Sequence, residues 1–339
     1  MTFPVQQTVS RFGQVNKSGD DRALFQELFA GEVLTEFHNK NIMMDKHRVR
    51  TIKAGKSATF PMVGVADTAK YHTVGSLIQA DNFAHSERKV TIDGLLISPT
   101  FIANIDEAMI HFDVRSIYTK ECGQQLGYQA DRNILRMAVK AAGITSEAEA
   151  VSAGLVPVAG ETFTANVDLA AAGDELLGEK LVDAVYRGIE EAANKNVDLS
   201  NAYILFSPAQ YYSLLRVTDT TKVAWLNRDV GGSGSVAEGT IPLIGGLKVY
   251  MTNNLPKEDE VTGLIGTPEW TGAPEKYRAD FSKTVGLIMT PDAVATVKLF
   301  DLAVESEYQI ERQGTLIVAK YAMGHNVLRP ACAIAIRKA

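Results

Sequence analysis

The chain has 339 residues, of which 46% are hydrophobic and 22% charged, and its formal net charge is −6. This composition supports a large folded core and excludes global disorder. A mildly acidic protein does not coat itself with nucleic acid through bulk charge, although it can enclose nucleic acid without binding it tightly.

No export or membrane signal is predicted in the chain. The N-terminal segment lacks the apolar stretch of a signal peptide, and no apolar run approaches the roughly 18 residues of a membrane span. The two cysteines, Cys122 and Cys332, are too few for a disulfide framework in a chain of this length. We therefore expect a soluble protein in a reducing compartment, with no membrane partner.

The first 46 residues are expected to form an arm. Residues 1–22 are polar and have little periodicity, which is typical of a segment that orders only when it docks. A short amphipathic helix is predicted from Asp21 to about Phe37, where leucines alternate with acidic residues.

Residues 47–98 change to a two-residue hydrophobic period, which predicts strands at both ends of a long excursion. The first of these strands carries a group of basic residues: Arg48, Arg50, Lys53 and Lys56. An isolated two-stranded ribbon is marginally stable in water, so this hairpin is expected to lie on other structure.

Residues Asn104 to Ala142 are predicted to form one long helix. With about 100° per residue, the apolar positions fall on one narrow stripe: Ile105, Met109, Phe112, Ala130, Ile134, Met137 and Ala141. At about 1.5 Å per residue the helix would be close to 60 Å long, which exceeds the width of one compact domain. It is therefore predicted to be a spine along which other parts of the protein lie.

Charged residues are separated along this helix. Arg132, Arg136 and Lys140 share an edge opposite the apolar stripe, whereas acidic residues crowd the other end: Asp106, Glu107 and Asp113. One interpretation is a favourable interaction with the helix dipole together with solvation. The other is a local basic strip that meets an acidic partner or nucleic acid on the inner face of a shell.

The rest of the chain alternates between helix and strand, which indicates a compact α/β lobe. A helix is predicted over Leu176–Asn196, a short strand over Ala202–Phe206 and a small helix from Pro208. Further strands are predicted at Leu247–Thr252 and Val285–Thr290, and long extended stretches follow Ala295.

No catalytic, cofactor or metal site is predicted. Gly55-Lys56-Ser57 resembles the end of a phosphate-binding loop, but the full pattern requires a glycine where the chain has Arg50. The six histidines show neither helical pairing nor clustering with cysteine, so zinc is unsupported.

Four stretches carry a specific resemblance: FAGEVLTEF (29–37), GKSATFPMVG (55–64), VTIDGLLISPTFIANIDEAMIHFDVRSIYT (90–119) and VAKYAMGHNVLRP (318–330). In this order they resemble the major capsid protein of T-seven-like short-tailed bacteriophages. The resemblance covers the chain from its N-terminal arm to its C-terminus and is weak over 144–175 and 216–284.

The resemblance implies the Hong Kong 97-type capsid fold, an α+β fold with four parts. Residues 1–46 would be the N-terminal arm with its short helix, and 47–98 the extended β-hairpin loop. Residues 99–173 and 291–327 would form the peripheral domain around the spine helix 104–142. Residues 174–290 and 328–339 would form the α/β axial domain.

The resemblance also implies a structural role and no enzymatic activity. Copies of the chain would assemble into hexamers and pentamers of an icosahedral head that encloses double-stranded DNA without sequence-specific binding. A scaffolding protein and a portal would be partners during assembly in the host bacterial cytoplasm. An encapsulin-like compartment is the second interpretation, and a phosphate-binding enzyme the third. No lysine–asparagine crosslink is expected, although Lys53, Lys56 and Lys70 lie in the extended loop.

Contacts between subunits are expected to involve opposite charges. Arg48, Arg50, Lys53 and Lys56 would meet acidic surface on a neighbour, with Asp106, Glu107 and Asp113 as candidates. Each exposed contact of this kind contributes about 0.2–1 kcal/mol, so strength would come from the number of contacts.

Overall fold

The computed structural model describes residues 42–64, 69, 71–75, 77, 83–109, 114–158, 160–215, 243–261 and 275–339. The predicted arm and its helix therefore lie almost entirely outside the described residues. The chain divides into two compact units. Unit 1 is described over Asp93–Ala130, without residues 110–113, and over Leu299–Met323. Unit 2 comprises the described residues within Lys40–Ile92, Asp131–Lys298 and Gly324–Ala339.

Within the described ranges, runs of successive strands are separated by runs of helices, as in an α+β protein, which confirms the predicted fold class. The helices are α1 (Asn104–Met109), α2 (Val114–Ala142), α3 (Glu147–Ser152), α4 (Gly178–Asn194) and α5 (Pro208–Leu215). The first six strands are β1 (Arg48–Thr51), β2 (Ser57–Val63), β3 (His85–Thr91), β4 (Leu96–Ala103), β5 (Val167–Asp168) and β6 (Tyr203–Phe206). The remaining strands are β7 (Leu243–Ile244), β8 (Leu247–Met251), β9 (Thr284–Met289), β10 (Val294–Gln309), β11 (Gly314–Val327) and β12 (Ala333–Arg337).

Helices α1 and α2 confirm the predicted helix over 104–109 and 114–142. Residues 110–113 lie outside the described residues, so an uninterrupted rod over 104–142 stays a prediction. Helix α2 has 29 residues, about 43 Å at 1.5 Å per residue. None of the described helices combines the length and apolarity that a membrane span needs.

Unit 1 contains a sheet built on the β10–β11 ribbon. Strand β4 pairs antiparallel with β11, from Ala103↔Gly314 to Leu96↔Tyr321. Strand β10 lies on the other side of β11, and a 3-10 turn at Ile310–Arg312 joins the two. The hydroxyl of Thr100 lies 3.1 Å from the Cys122 sulfur, so the first part of α2 packs on β4.

Unit 2 contains a six-stranded sheet in the order β5, β12, β9, β6, β8, β7. Successive strand residues point to opposite faces. Leu205 and Leu287 therefore share one core with the second part of α2, whereas Ile204 and Ile288 face α4 and α5 in another. The short predicted strands and helices of this region are confirmed, with bounds that differ by a few residues.

The predicted hairpin is confirmed as β2 and β3, which pair antiparallel from Ser57↔Thr91 to Val63↔His85. Its base packs on the rest of unit 2, as expected for a ribbon without its own core. Ala58 and Val90 are buried with Ala295, Val297 and Leu328. Strand β1 is separate from this hairpin. It pairs in parallel with the start of β10, from Arg48↔Ala295 to Thr51↔Lys298.

Candidate functional site

The four basic residues predicted to reach a neighbour lie at the root of the hairpin, which we define as residues 42–58 and 88–92. The Arg48 guanidinium donates to Asp292 within the chain, and this hydrogen bond raises the pKa of Arg48. Arg50 donates to the Thr59 carbonyl at 2.9 Å. Lys53 and Lys56 are exposed, and among the described residues neither ammonium group makes an ion pair. The two lysines are therefore the members best placed for a second subunit.

The three acidic candidates are not a surface cluster. Asp106 is only 1% exposed, whereas the neighbouring Ile105, predicted to be buried, is 60% exposed. Helix α1 is thus rotated by about one residue relative to the prediction, because six residues are too few for an apolar stripe to fix its face. Burial together with the charge of Asp106 raises the pKa of Tyr118. Glu107 is half-buried and Asp113 lies outside the described residues.

The prediction of an open basic strip on α2 was wrong. Arg136 is fully buried, and its Nε and Nη2 donate to the Glu260 carboxylate at 2.6 and 3.1 Å. Arg132 donates to the same carboxylate at 3.0 Å. Lys140 donates to the Lys276 carbonyl at 2.6 Å, and burial lowers its pKa. These groups hold α2 against residues 260, 276 and 278, so they form neither a solvated face nor an open inner-face strip.

A buried ion pair that sequence reasoning missed fixes the root of the hairpin. Arg88 on β3 is almost fully buried, and its Nη2 donates to both oxygens of Glu161 at 2.6 and 2.7 Å. The same guanidinium donates to the carbonyls of Val156 and Leu328. Because one guanidinium nitrogen donates to both carboxylate oxygens and the other two nitrogens donate to backbone carbonyls, the direction of the side chain is fixed as well as its distance. The hairpin therefore leaves unit 2 in a defined orientation.

A second set of buried polar groups holds the chain just before β1. Asp131 accepts hydrogen bonds from the amides of Ile42 and Met43 at 3.2 and 2.7 Å and from Asn254 at 2.7 Å. Burial is the main cause of the raised pKa of Asp131. A few residues further on, the Lys46 carbonyl accepts from the Tyr203 hydroxyl at 2.7 Å.

Two buried histidines form a third set of polar contacts next to β1. His47 Nδ1 lies 2.7 Å from the Met43 carbonyl, and His47 Nε2 lies 2.5 Å from the Thr296 hydroxyl. That hydroxyl is also 2.7 Å from Nδ1 of His325, a fully buried residue of β11. Burial lowers the pKa of both histidines.

The distal half of β10, Leu299–Gln309, forms what we call the outer strand. The pairing of β1 with β10 ends at Lys298, so among the described residues no strand covers the far edge of the outer strand. Three large apolar side chains lie on one face and are exposed there: Phe300 by 57%, Val304 by 40% and Tyr308 by 46%. The opposite face carries exposed acidic residues: Asp301, Glu305 and Glu307.

The described residues form no catalytic arrangement. Gly55 has φ +114° in a turn between β1 and β2, so Gly55-Lys56-Ser57 lacks the following helix that a phosphate-binding loop requires. Among the described residues, no group of histidine, cysteine and carboxylate side chains is placed to hold a metal. A cavity of about 450 Å³ in unit 2 contains Cys332, but burial raises the pKa of that thiol and disfavours a nucleophilic thiolate.

Comparison with known proteins finds relatives over almost the whole chain. A family model described as Gp10A-like major capsid protein matches residues 59–337. The major capsid protein of Escherichia phage T7 is 31% identical over 351 aligned positions, which cover 99% of this chain and 98% of that protein.

Solved structures give the same result. The capsid protein of cyanophage P-SCSP1u superposes with a TM-score of 0.77 at 34% identity, and 99% of each chain is covered. The mature capsid of bacteriophage PhiM1 superposes with a TM-score of 0.73 at 17% identity, over 100% of this chain and 99% of that one. At that identity the second match shows the fold alone.

Proposed function

Because this chain belongs to the Gp10A-like family of major capsid proteins, we propose that many copies of it form the hexamers and pentamers of an icosahedral phage head that encloses double-stranded DNA. The chain has the Hong Kong 97-type capsid fold and is a structural protein of the virion capsid, not an enzyme. Assembly into the oligomers of a shell follows from this family and fold. An encapsulin-like compartment is not favoured, since the matched proteins are phage capsids.

The outer strand is the observation that carries the proposal. It presents apolar residues on one face, carboxylates on the other and an edge without a described partner strand. Natural proteins avoid long, exposed, apolar edge strands unless another chain covers them. Ile310, in the turn that follows, extends the apolar face and is 73% exposed. Such a surface fits a subunit that is completed by its neighbours.

The far end of the hairpin supports the same conclusion. Its described residues include several exposed large apolar side chains: Tyr71, Val74, Leu77 and Phe83. Buried apolar area stabilises association by about 25 cal/mol per Å² before the cost of ordering is subtracted. In the assembled shell, the hairpin end would gain stability by lying on another subunit.

Opposite charges would guide this contact. The exposed Lys53 and Lys56, with Arg48 and Arg50 beside them, are proposed to meet carboxylates of a neighbouring copy. Since Asp106 is buried, the acceptors we propose are Glu107 and the outer-strand residues, among which Glu305 is exposed although it also pairs with Lys320 at 2.6 Å.

The remaining assignments follow the family resemblance. Residues 1–46 are proposed as the arm, 47–98 as the extended loop, 99–173 and 291–327 as the peripheral domain, and 174–290 and 328–339 as the axial domain. A scaffolding protein and a portal are proposed as partners in the host cytoplasm. DNA would be enclosed without specific binding, consistent with the net charge of −6.

Reversing the two exposed lysines tests the charge contact. The variant Lys53→Glu with Lys56→Glu should fold normally, because both side chains are exposed, but should need an at least about tenfold higher protein concentration to form shells. A tenfold rise of this threshold concentration corresponds to about 1.4 kcal/mol per subunit. Sedimentation measures the shell fraction, and circular dichroism confirms the fold. The matched control, Lys53→Arg with Lys56→Arg, keeps both charges and should assemble like the parent chain. Full assembly of the glutamate variant would refute the charge contact.

A further inference from the structure

The hydrogen bonds around Thr296 determine where the protons lie on His47 and His325. The Met43 carbonyl only accepts, so His47 Nδ1 must carry a proton and donate to it over 2.7 Å. In neutral His47 the Nε2 atom then accepts, and the Thr296 hydroxyl must donate to it. Because that hydroxyl has a single proton, it can only accept from His325 Nδ1–H. The network is therefore satisfied when both rings are neutral and protonated at Nδ1.

Protonation of either ring disturbs this arrangement of donors and acceptors. A proton on His47 Nε2 would place N–H donors of both rings on the Thr296 oxygen, so the hydroxyl proton would lose its acceptor or His325 would have to move its own proton from Nδ1 to Nε2. A proton on His325 would create a charge in a fully buried ring that packs on Tyr277, with ring centroids 6.2 Å apart.

Nearby charges mostly act in the same direction. Lys298 lowers the pKa of both histidines and Lys276 lowers that of His325, whereas Asp45 acts in the opposite sense on His47. Desolvation is the largest cause for both rings, and for His47 the hydrogen bond to the Met43 carbonyl is the second cause and acts to raise the pKa. The direction in which stability changes with pH follows from the linkage between proton binding and folding. With folded-state pKa values below 6.5, the unfolded chain binds more protons, so stability is fully present above pH 6.5 and is lost as the pH falls toward the folded values.

The network lies where the chain enters β1. His47 directly precedes β1, and Thr296 is in the part of β10 with which β1 pairs. The Arg48 amide donates to the Pro291 carbonyl at 3.1 Å, and the Ile52 amide to the Lys298 carbonyl at 2.9 Å. These bonds form the two ends of a short parallel pairing of four residues. The ring of His47 is thus the buried side chain that anchors an otherwise exposed strand to β10.

We propose that the hydrogen-bonded series His47–Thr296–His325 is a proton-sensitive latch. It holds β1 on β10 at neutral pH and releases it on acidification. Release would free the first strand at the root of the hairpin while Arg88 and Glu161 still hold β3. The segment that leads into the hairpin would thereby become mobile, whereas the direction of β3 and the six-stranded sheet of unit 2 would be kept.

Amide hydrogen exchange of the unassembled full-length chain tests the latch without depending on shell formation. Between pH 7 and pH 5, after correction for intrinsic exchange rates, the protection factors of the amides of residues 48–52 should fall about tenfold or more. A tenfold change corresponds to a difference of one pKa unit between the closed and the released latch. Protection of β6 and β9 should stay unchanged. The variant His47→Gln with His325→Asn places amide groups near His47 Nε2 and His325 Nδ1, gives up the bond to the Met43 carbonyl and cannot titrate, so it should lose this pH response. The control His85→Gln changes an exposed histidine of β3 and should respond like the parent chain.

Two results would overturn the latch. One is an equal loss of protection in the double variant, which would assign the response to other groups. The other is a parent chain whose protection at 48–52 does not change between the two pH values. If the double variant fails to fold, exchange at the C2 carbons of the histidine rings in the parent chain gives their pKa values directly. A value above 6.5 for both rings would then exclude the latch.

Discussion

Replacing Glu260 by alanine should lower the free energy of unfolding of the chain by about 3–5 kcal/mol, the usual cost of breaking a buried ion pair by removing one partner. Glu260 accepts from Arg136 at 2.6 and 3.1 Å, and Arg136 is fully buried. Without the carboxylate, that guanidinium would keep its charge in the core but lose the counter-ion that accepts two of its hydrogen bonds, since arginine does not deprotonate in proteins. Urea denaturation of the unassembled chain, followed by circular dichroism, measures the change.

A double substitution separates the lost pair from lost packing. In Arg136→Met with Glu260→Met, both buried charges are replaced by apolar side chains of similar length, and such exchanges are often neutral or stabilising. We expect this variant to recover most of the loss. The ion-pair explanation fails if Glu260→Ala costs less than about 1 kcal/mol, or if the double variant is as unstable as the single one.

Replacing Gly324 by alanine should destabilise the chain by about 3 kcal/mol or more, at the upper end for overpacking. A methyl group at this position of β11 would overlap the Thr91 carbonyl oxygen and lie 2.7 Å from the Thr91 carbonyl carbon and 2.8 Å from the Ile92 Cα. These are backbone atoms and cannot move aside as a flexible side chain does. The end of β3 would have to leave β11, which would loosen the root of the hairpin.

The control for this substitution is Gly94→Ala. A methyl group at Gly94 would meet no atom within 4 Å, and this position does not need a left-handed backbone. Its substitution should therefore change the stability by no more than about 0.5 kcal/mol. Thermal unfolding of the two variants beside the parent chain makes the comparison. Equal stability of the two alanine variants would show that β3 can retreat from Gly324 at little cost.

The regular elements could be predicted from the sequence, because their periodicity is a local property. The stripe from Ala130 to Ala141 is buried as its spacing predicted, and the strand over Tyr203–Phe206 is fully buried. Prediction failed at α1, where the helix is only six residues long and the buried side chain is Asp106 in place of Ile105.

The buried polar contacts could not be predicted, because the partners are distant in the chain. Arg136 and Glu260 are 124 residues apart, and His47 and Thr296 are 249 apart. A charged residue on a helix edge has the same sequence pattern whether water or a distant carboxylate faces it. The sequence therefore indicated a basic strip at Arg132, Arg136 and Lys140, whereas the fold uses these groups to bind residues 260, 276 and 278.

The buried polar groups and the exposed apolar surfaces have complementary roles in a capsid subunit. Arg88 with Glu161 and the Asp131 group fix the root within each subunit, so the direction of the hairpin is set before assembly. The outer strand and the hairpin end are exposed within the described part of the chain, and in the proposed shell neighbouring chains would cover them. Pre-organised contacts of this kind reduce the ordering cost of association.

Electron microscopy of the purified full-length chain, concentrated stepwise alone and together with a co-produced scaffolding protein, tests the central claim most directly. We expect closed shells of uniform diameter built from sixfold and fivefold clusters of subunits. The apolar face of the outer strand at Phe300, Val304 and Tyr308 should be covered by a neighbouring subunit in the reconstructed density. A small oligomer of fixed size under every condition, or shells in which this face remains exposed to solvent, would contradict the account.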